Sequence, residues 1–263
     1  MSDAPDSEAD ACEVLFHGLD RLGPGDERTT LAVLDRIRSL LPARPRIADM
    51  GCGVGASALV LAQSLPEATV IAIDCHRSFI ERLRDRARLR GLGERVLGVV
   101  GAMDSGPAHG IALASLHLIW AESSIYAIGR PLAFRTWRDL VHPRGSIVFS
   151  DVVWKVPPRD RSAEAVAFWA EDYPAMTDPE VVVGQLCEHG FRLIETVEVP
   201  RSAWSNYYDP LRSRMALLRP RVRTGSALAR ILATFEREIA LFDSDDRSFA
   251  SVFFVAQVVT SEG

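Results

Sequence analysis

One heptapeptide, Asp49-Met-Gly-Cys-Gly-Val-Gly55, constrains the fold of this chain more than any other segment. The strand-like residues 46–48 lead into it, and an amphipathic stretch from Ala58 to Leu65 follows it. Glycines at alternate positions permit a tight turn with positive φ, and they let a ligand approach bare backbone. The pattern predicts a strand, a glycine-rich turn and a helix. It also indicates a nucleotide-like cofactor, and therefore an enzyme.

Strands and helices alternate regularly from Arg46 to Ser150. The predicted strands are residues 46–49, 69–74, 96–100, 116–120 and 145–150, and the predicted helices between them are residues 56–65, 78–90 and 130–141. Strands that alternate with helices at this spacing favour βαβ units and a parallel sheet. The sequence therefore predicts an α/β protein with a Rossmann-like, doubly wound sheet.

The rest of the chain departs from this alternation. We expect helices over residues 159–173 and 179–189, a strand over 191–199, a helical stretch over 211–242 broken near Pro220 and Gly225, and a final strand over 249–259. We interpret residues 13–263 as a single domain with an N-terminal lid, residues 13–30, and cap insertions at about 152–178 and 200–247. Residues 1–12 are small, acidic and contain proline, which predicts a disordered tail.

Composition and charge narrow the range of partners. The net charge of -5 argues against a general nucleic-acid binder. The four cysteines form no C-x-x-C pair, so we expect no metal site. There is no apolar run of about 18 residues, as a membrane span requires, and the start of the chain is not typical of a signal peptide. We therefore expect a cytoplasmic monomer or homodimer that acts on a small molecule, away from nucleic acids and membranes.

Three further features follow the ends of neighbouring predicted strands, where open α/β sheets bind ligands. Asp74 ends the second strand, and its carboxylate can accept hydrogen bonds from both hydroxyls of a ribose. Met103 and Asp104 follow the third strand and suit the face and the exocyclic amine of an adenine. Ala121 and Glu122 follow the fourth strand. Together these residues predict a nucleoside site at one edge of the sheet.

The glycines alone are compatible with two classes of cofactor. They also read as Gly51-x-Gly53-x-x-Ala56, which fits an NAD(P)-dependent oxidoreductase. Asp49 favours the other class, because a carboxylate repels a pyrophosphate and attracts an ammonium group such as that of S-adenosyl-L-methionine. A non-catalytic, cofactor-binding regulatory protein is a third hypothesis.

At this point the chain resembles the class I S-adenosylmethionine-dependent methyltransferases. The motifs that carry the resemblance are Asp49-Met-Gly-Cys-Gly-Val-Gly55, Ile73-Asp74, Gly101-Ala-Met-Asp104 and Phe253-Phe-Val-Ala-Gln257. The stretch from Leu118 to Gly129 is similar to a bacterial branch of small-molecule methyltransferases. The resemblance implies a seven-stranded, mostly parallel sheet whose last strand is antiparallel, with helical cap segments above it.

The resemblance also implies roles for individual residues toward S-adenosyl-L-methionine, whose product is S-adenosyl-L-homocysteine. Gly51, Cys52 and Gly53 would border its methionine portion, Asp74 would hold the ribose, and Ala121 would lie near the sulfonium. The complete set of expected cofactor contacts is Asp49, Gly51, Cys52, Gly53, Asp74, Cys75, Ala102, Met103, Asp104 and Ala121.

The sequence says less about the molecule that accepts the methyl group and about the residues that bind it. Methyl transfer from a sulfonium is an in-line displacement, and a base is needed where the acceptor is a hydroxyl or a protonated amine. Glu122 is the first candidate for this base, and Tyr126 or His17 is the next. The expected substrate contacts are aromatic, namely Trp154, Trp169, Trp204, Tyr207 and Tyr208. Whether the acceptor nucleophile is O, N, S or C stays open.

Overall fold

Seven strands form one mixed sheet in the order β3-β2-β1-β4-β5-β7-β6 in the computed structural model, which describes residues 7–245 and 247–259. The strands are β1 (Arg46–Met50), β2 (Thr69–Asp74), β3 (Val96–Val100), β4 (Leu116–Ala121), β5 (Val141–Trp154), β6 (Phe191–Glu198) and β7 (Phe249–Val258). The pairs from β3 to β5 are parallel, and β7 is antiparallel to both β5 and β6. The predicted doubly wound sheet with an antiparallel last strand is confirmed.

Helices cover both faces of this sheet. They are α1 (Glu8–Phe16), α2 (Glu27–Ile37), α3 (Ala56–Ser64), α4 (Arg77–Leu89), α5 (Arg130–Leu140), α6 (Ala163–Asp172), α7 (Pro179–Glu188), α8 (Arg201–Leu218) and α9 (Ala227–Ser244). None of the helices in the described part of the chain is both long and apolar enough to cross a membrane.

Alternate side chains of each central strand enter different halves of the core, as a sheet buried on both faces requires. On β4, Leu118 and Trp120 pack into the cluster that includes α2, α3 and the cap helices. Ile119 and Ala121 pack into the cluster on the other face, with Trp137 of α5. The sheet thus lies between two apolar layers, and the carboxyl ends of its parallel strands remain available for a binding site.

The start of the chain corrects one prediction. The expected disordered tail covered residues 1–12, of which 1–6 lie outside the described residues. From Glu8 the chain is helical, and the Ser7 side chain caps the helix by accepting from the Asp10 amide at 3.1 Å. Ala11 and Leu15 are fully buried, and α1 packs against α8 and α9. These tertiary contacts stabilise a helix that the local composition does not favour.

The long helical stretch of the second half begins earlier than predicted. Helix α8 starts at Arg201 rather than Leu211 and contains Pro210, a residue that normally ends a helix. The predicted break near Pro220 and Gly225 is confirmed, since α8 ends at Leu218 and α9 begins at Ala227.

Candidate cofactor and acceptor site

The glycine turn joins β1 to α3 and is anchored to the neighbouring strand. Gly51, Gly53 and Gly55 have φ values of 72°, 52° and 80°. The amides of Gly51 and Cys52 both donate to the Ile73 carbonyl at 2.9 Å. A Cβ on Gly51 would lie 2.4 Å from the Ser124 Cβ, so a side chain there has no room. The turn therefore offers bare backbone at the carboxyl edge of the sheet.

Asp49 stands directly beneath this turn and is the most unusual group in the site. Its side chain is 1% exposed, and neither carboxyl oxygen has a hydrogen-bond partner among the described residues. Burial, followed by the negative charge of Glu122, raises the pKa of Asp49 to about 8. A buried carboxyl without a donor is costly, so the position suits a ligand that brings a cation or an N–H group.

Asp74 is held against the same turn. Its Oδ2 accepts from the Gly53 amide at 2.9 Å, and its Oδ1 accepts from the His76 amide at 2.9 Å. The His76 Nδ1 lies 3.0 Å from Oδ1, and this hydrogen bond raises the pKa of His76. His76 was not among the predicted site residues, because no motif in the sequence marks it. The carboxylate is thus oriented at the end of β2, where a ribose would lie.

Asp74, Cys75 and His76 also offer ligand atoms within 4.8 Å of one another. Their proximity follows from their consecutive positions and from the hydrogen bond between His76 and Asp74. The expected absence of a metal stays a prediction.

The loop after β3 is fixed beside the turn by contacts to its backbone. The Trp137 indole donates to the Met103 carbonyl at 2.9 Å, and the His109 Nε2 lies 3.0 Å from the Ala102 carbonyl oxygen. The Met103 methyl would meet a Cβ on Gly51 at 3.3 Å, and Asp104 accepts from Ser105 at 3.0 Å. The structure therefore brings Met103 to the glycine turn. Ala102 and Cys75 are exposed, while Ala121 is buried at the end of β4.

Glu122, the first candidate for the base, is held by several donors, and its role as a base stays a prediction. It forms an ion pair with Arg21 and is 4% exposed. Its Oε2 also accepts from Thr30 at 3.2 Å, from Ser57 at 2.8 Å and from the Trp120 indole at 3.2 Å. Three of these donors share Oε2 and Arg21 bonds to Oε1, so the carboxylate is oriented from several elements at once. In this arrangement Glu122 is a structural junction between β4, α2, α3 and the N-terminal segment.

The segment from Asp20 to Gly25 lies across the glycine turn. The Leu22 side chain would meet a Cβ on Gly53 at 3.0 Å, and Gly23 packs against the Ser123 side chain. The Gly25 amide donates to the Ala203 carbonyl at 3.3 Å, and Arg86 donates to the Asp20 carbonyl at 3.0 Å. The segment therefore connects the turn with the cap helix α8.

The other two candidate bases lie in different surroundings. Tyr126, in the turn after β4, is 60% exposed. Its ring meets Tyr173 edge-on at 6.1 Å. His17 is exposed at the end of α1, and no hydrogen bond or ion pair joins it to another described residue.

The aromatic substrate candidates pack in and beneath the cap. Trp154, Trp169 and Trp204 are 8%, 4% and 3% exposed. Trp204 stacks on Phe242 at 5.3 Å, and Trp169 meets Phe249 at 5.3 Å. These contacts are those of a core, and substrate contact by the three tryptophans stays a prediction.

Tyr207 and Tyr208 are also buried. Tyr208 donates to Glu238 at 2.6 Å. Glu238 was not among the predicted site residues, because a single glutamate within a helix forms no recognisable motif.

A second buried network was also missed. Arg130 is 4% exposed and pairs with Asp151. It also donates to the Tyr173 hydroxyl at 2.7 Å, and that hydroxyl donates to Asp151 at 2.9 Å. The network fixes Tyr173, and with it the wall against which Tyr126 packs.

Comparisons with known proteins agree with this geometry. The family model described as a methyltransferase domain matches residues 47–145. No curated protein sequence matches the chain. A methyltransferase from Geobacter sulfurreducens, solved with S-adenosyl-L-homocysteine, is 17% identical with a TM-score of 0.76, over 98% of this chain and 100% of that one.

Two other solved structures differ in what their names say they do. A geranyl diphosphate C-methyltransferase from Streptomyces coelicolor A3(2) is 17% identical with a TM-score of 0.64, over 98% of this chain and 100% of that one. The [4+2]-cyclase SpnF is 17% identical with a TM-score of 0.73, over 97% of this chain and 94% of that one. At these identities the likeness is one of fold.

The fold and the domain match agree. Residues 47–145 match a methyltransferase domain, and the sheet has the Rossmann-like topology of the class I S-adenosylmethionine-dependent methyltransferases.

Proposed function

We propose that the chain binds S-adenosyl-L-methionine at the carboxyl edge of β1, β2 and β4 and methylates a small-molecule acceptor held beneath the cap. The observation that carries the proposal is Asp49, a fully buried carboxyl without a partner beneath a glycine turn. The donor's ammonium group would supply the missing partner. When bound, this donor supplies an activated methyl group on a sulfonium.

The protein's own residues would bind the donor and orient it toward the acceptor. The amide-rich turn from Gly51 to Gly55 would border the methionine portion, and Asp74 would accept from the ribose hydroxyls. Met103 and Asp104 would frame the adenine, and Ala121 would leave room near the sulfur. Helices α8 and α9 would cover the site and exclude water, with residues 13–30 as a lid. Alignment and water exclusion are what a methyl transfer needs most from a protein.

Asp49 favours this proposal over the oxidoreductase hypothesis. A dinucleotide would place a pyrophosphate at the turn, near the carboxyls of Asp49 and Glu122. The cyclase among the structural neighbours shows that a protein of this fold can carry another activity. For this chain the match to the methyltransferase domain favours methyl transfer. Action in the cytoplasm, as a monomer or a homodimer, is part of the same proposal.

The test is titration calorimetry of the full chain with S-adenosyl-L-homocysteine. We expect micromolar-class affinity, and a loss of about 100-fold in Asp74→Ala, because that change removes the ribose acceptor and the acceptor of the Gly53 amide. The matched control is Asp85→Ala, which removes an exposed carboxylate of α4 paired with Arg88 and should leave the affinity unchanged. Unchanged affinity in Asp74→Ala would remove Asp74 from the site. Tight binding of NADH instead would support the oxidoreductase.

A further inference from the structure

The loop that follows β4 lies in the crevice where open α/β sheets bind their ligands. Strands β1 and β4 are neighbours, and the chain runs outward from β1 through β2 to β3 and from β4 to β5. Ligands bind outside the carboxyl ends of two such strands, where the strand order reverses. The Ser124 hydroxyl donates to the Met50 carbonyl at 2.6 Å, and its Cβ lies where a Cβ on Gly51 would clash. The loop after β4 therefore contacts the glycine turn across this crevice.

Tyr126 belongs to the same loop, two residues after Ser124. Two residues span at most about 7 Å of chain, so the Tyr126 backbone is close to the glycine turn. Its side chain is 60% exposed, and its hydroxyl makes no hydrogen bond to any residue that the structure describes. The ring meets Tyr173 edge-on, with centroids 6.1 Å apart and planes at 66°. The rings of Tyr126 and Tyr173 thus form an aromatic corner beside the crevice.

The end of β5 holds this loop in a conformation that its residues disfavour. Phe149 pairs with Ala121, the last residue of β4, so residues 150–154 of β5 continue beyond the end of β4. The Ser123 amide donates to the Ser150 hydroxyl oxygen at 2.8 Å. Ser123 has a φ of 54°, in the left-handed region that a residue with a side chain seldom adopts. Such strain persists only where the surrounding structure enforces it, and it is common at binding sites.

Asp151, the next residue of β5, belongs to the buried network that fixes Tyr173. The Tyr173 hydroxyl donates to Asp151 at 2.9 Å and accepts from Arg130 at 2.7 Å. Arg130 also donates to the Gln185 side chain at 2.9 Å and to the Ala175 carbonyl. Arg130 and Asp151 are both 4% exposed and form an ion pair, so their charges offset each other. The network therefore holds one ring of the aromatic corner rigidly and places no net charge beside it.

The chemistry of the aromatic corner favours a flat, uncharged ring. Aromatic pairs prefer offset-stacked or edge-to-face arrangements, and two rings at 66° offer both to a third ring. The Arg130 guanidinium offers little to an anionic group, because Asp151 and the Tyr173 hydroxyl already occupy its donors. A cation gains less from Tyr173 than an aromatic ring does, because the Arg130 guanidinium already lies 5.9 Å from that ring's centroid.

We propose that Tyr126 is a specificity-determining residue whose ring stacks on an acceptor with a flat aromatic group. Tyr173, Arg130 and Asp151 are the positioning residues that keep the second ring of the aromatic corner in place. The inference rests on the proposed function, because it assigns the acceptor of that same site. An aromatic group on Tyr126 would lie in the crevice beside the glycine turn, where the donor is expected. Contact with the ring would orient the acceptor and exclude water from one of its faces.

The experiment is calorimetric binding of three probes to the full chain saturated with S-adenosyl-L-homocysteine. Naphthol carries a flat double ring, decahydronaphthol is its saturated counterpart with the same hydroxyl, and choline is a cation without a ring. We expect naphthol to bind about fivefold more tightly than decahydronaphthol, because only the aromatic probe stacks. Choline should bind more weakly than naphthol.

Two substitutions at Tyr126 test the stacking residue. Tyr126→Leu should reduce the preference for naphthol over decahydronaphthol to about twofold or less, because the aromatic face is lost. Tyr126→Phe keeps the ring and should retain the preference. This rescue by phenylalanine separates stacking by the ring from hydrogen bonding by the hydroxyl.

A third substitution tests the positioning network. Tyr173→Phe keeps the second ring but removes its hydrogen bonds to Arg130 and Asp151, so we expect the preference for naphthol to fall about twofold. Asp178→Asn is the matched control, since it weakens a different ion pair of the cap, with Arg161, and should preserve the preference. A purely structural role of Tyr173 would lower the stability of the variant without changing the ratio of the two affinities.

Equal affinity for naphthol and decahydronaphthol in the wild type would overturn the inference, as would tighter binding of choline or no binding of naphthol at all. A preference that survives in Tyr126→Leu would contradict stacking on Tyr126, and one that is unchanged in Tyr173→Phe would contradict the positioning role of the network. Failure of the wild type to bind S-adenosyl-L-homocysteine is seen before any probe is added, and it would count against the proposed function instead.

Discussion

The carboxyl edge of the sheet and the cap meet at one site but are built in different ways. At the edge, amides of the turn bond to the Ile73 carbonyl and the Asp74 carboxylate, so residues close in sequence make the geometry. In the cap, Phe16 meets Phe235 and Arg214 donates to the Val14 carbonyl, contacts that join segments about 200 residues apart. The residues expected to bind the donor therefore belong to short sequence motifs. The positions of those expected to bind the acceptor depend on long-range packing.

The largest effect should come from adding one methyl group at the edge. Gly51→Ala forces a side chain into positive φ and against Ser124, so we expect a loss of roughly 2–5 kcal/mol in the free energy of unfolding. It should also greatly weaken binding of S-adenosyl-L-homocysteine. Gly91→Ala is the matched control, since Gly91 has a φ of 69° with open space around it, and should cost only about 1–2 kcal/mol.

Urea unfolding and calorimetry on both variants measure these losses. Equal losses in the two variants would mean that packing on Ser124 does not shape the turn.

A smaller loss of stability is expected when the ion pair between the carboxyl edge of the sheet and the N-terminal segment is removed. Glu122→Gln removes the charge that pairs with Arg21, and we expect a loss of about 2–4 kcal/mol in the free energy of unfolding, because Arg21 is left partly buried without its partner. Amide hydrogen exchange should accelerate in residues 18–26. Glu195→Gln, in an exposed pair with Arg36, should change the stability by less than about 0.5 kcal/mol.

Undiminished stability with lost turnover in Glu122→Gln would instead support the base role that the sequence suggested.

The smallest change in stability, and one of opposite sign, is expected at Asp49. Its pKa is about 8 in the folded protein, above the value of 3.8 for a free carboxyl. The folded state therefore holds a proton that the unfolded state has lost, so stability falls as pH rises from about 4 to about 8. Asp49→Asn should be more stable than the wild type at pH 8 by about 1–3 kcal/mol, with little gain at pH 5.

Thermal unfolding at the two pH values tests this prediction, and calorimetry should show weaker S-adenosyl-L-homocysteine binding in the same variant. Equal gains at both pH values would show that Asp49 does not titrate in this range.

Much of the fold and of the donor side could be predicted from sequence, because both depend on local patterns. Apolar strands alternating with amphipathic helices indicate the sheet, and the glycines of the turn adopt the positive φ that their spacing implies. The hydrogen-bond partners of Glu122 could not be predicted. Its position after β4 is visible in the sequence, but its pairing with Arg21, about a hundred residues away, is not.

The acceptor side could not be predicted in the same way. The tryptophans were predicted to contact the substrate, and Trp204 stacks on Phe242 within the core. Glu238 was not predicted to be a site residue, since its position opposite Tyr208 depends on how α8 and α9 pack. Helix α1 similarly owes its order to burial of Ala11 and Leu15 against those helices. Such contacts follow from the assembled tertiary structure rather than from any short stretch of sequence.

The ion pair between Arg21 and Glu122 bears on the timing of turnover. Thr30, Ser57 and Trp120 hold Glu122 from the body of the protein, and Arg21 holds it from the overlying segment. We expect a donor bound beneath Leu22 to leave only after this segment lifts, which breaks the pair together with the contacts of Asp20 to Arg86 and of Gly25 to Ala203. We therefore expect an ordered cycle in which the donor enters first and its product leaves last, with segment opening rather than methyl transfer setting the rate.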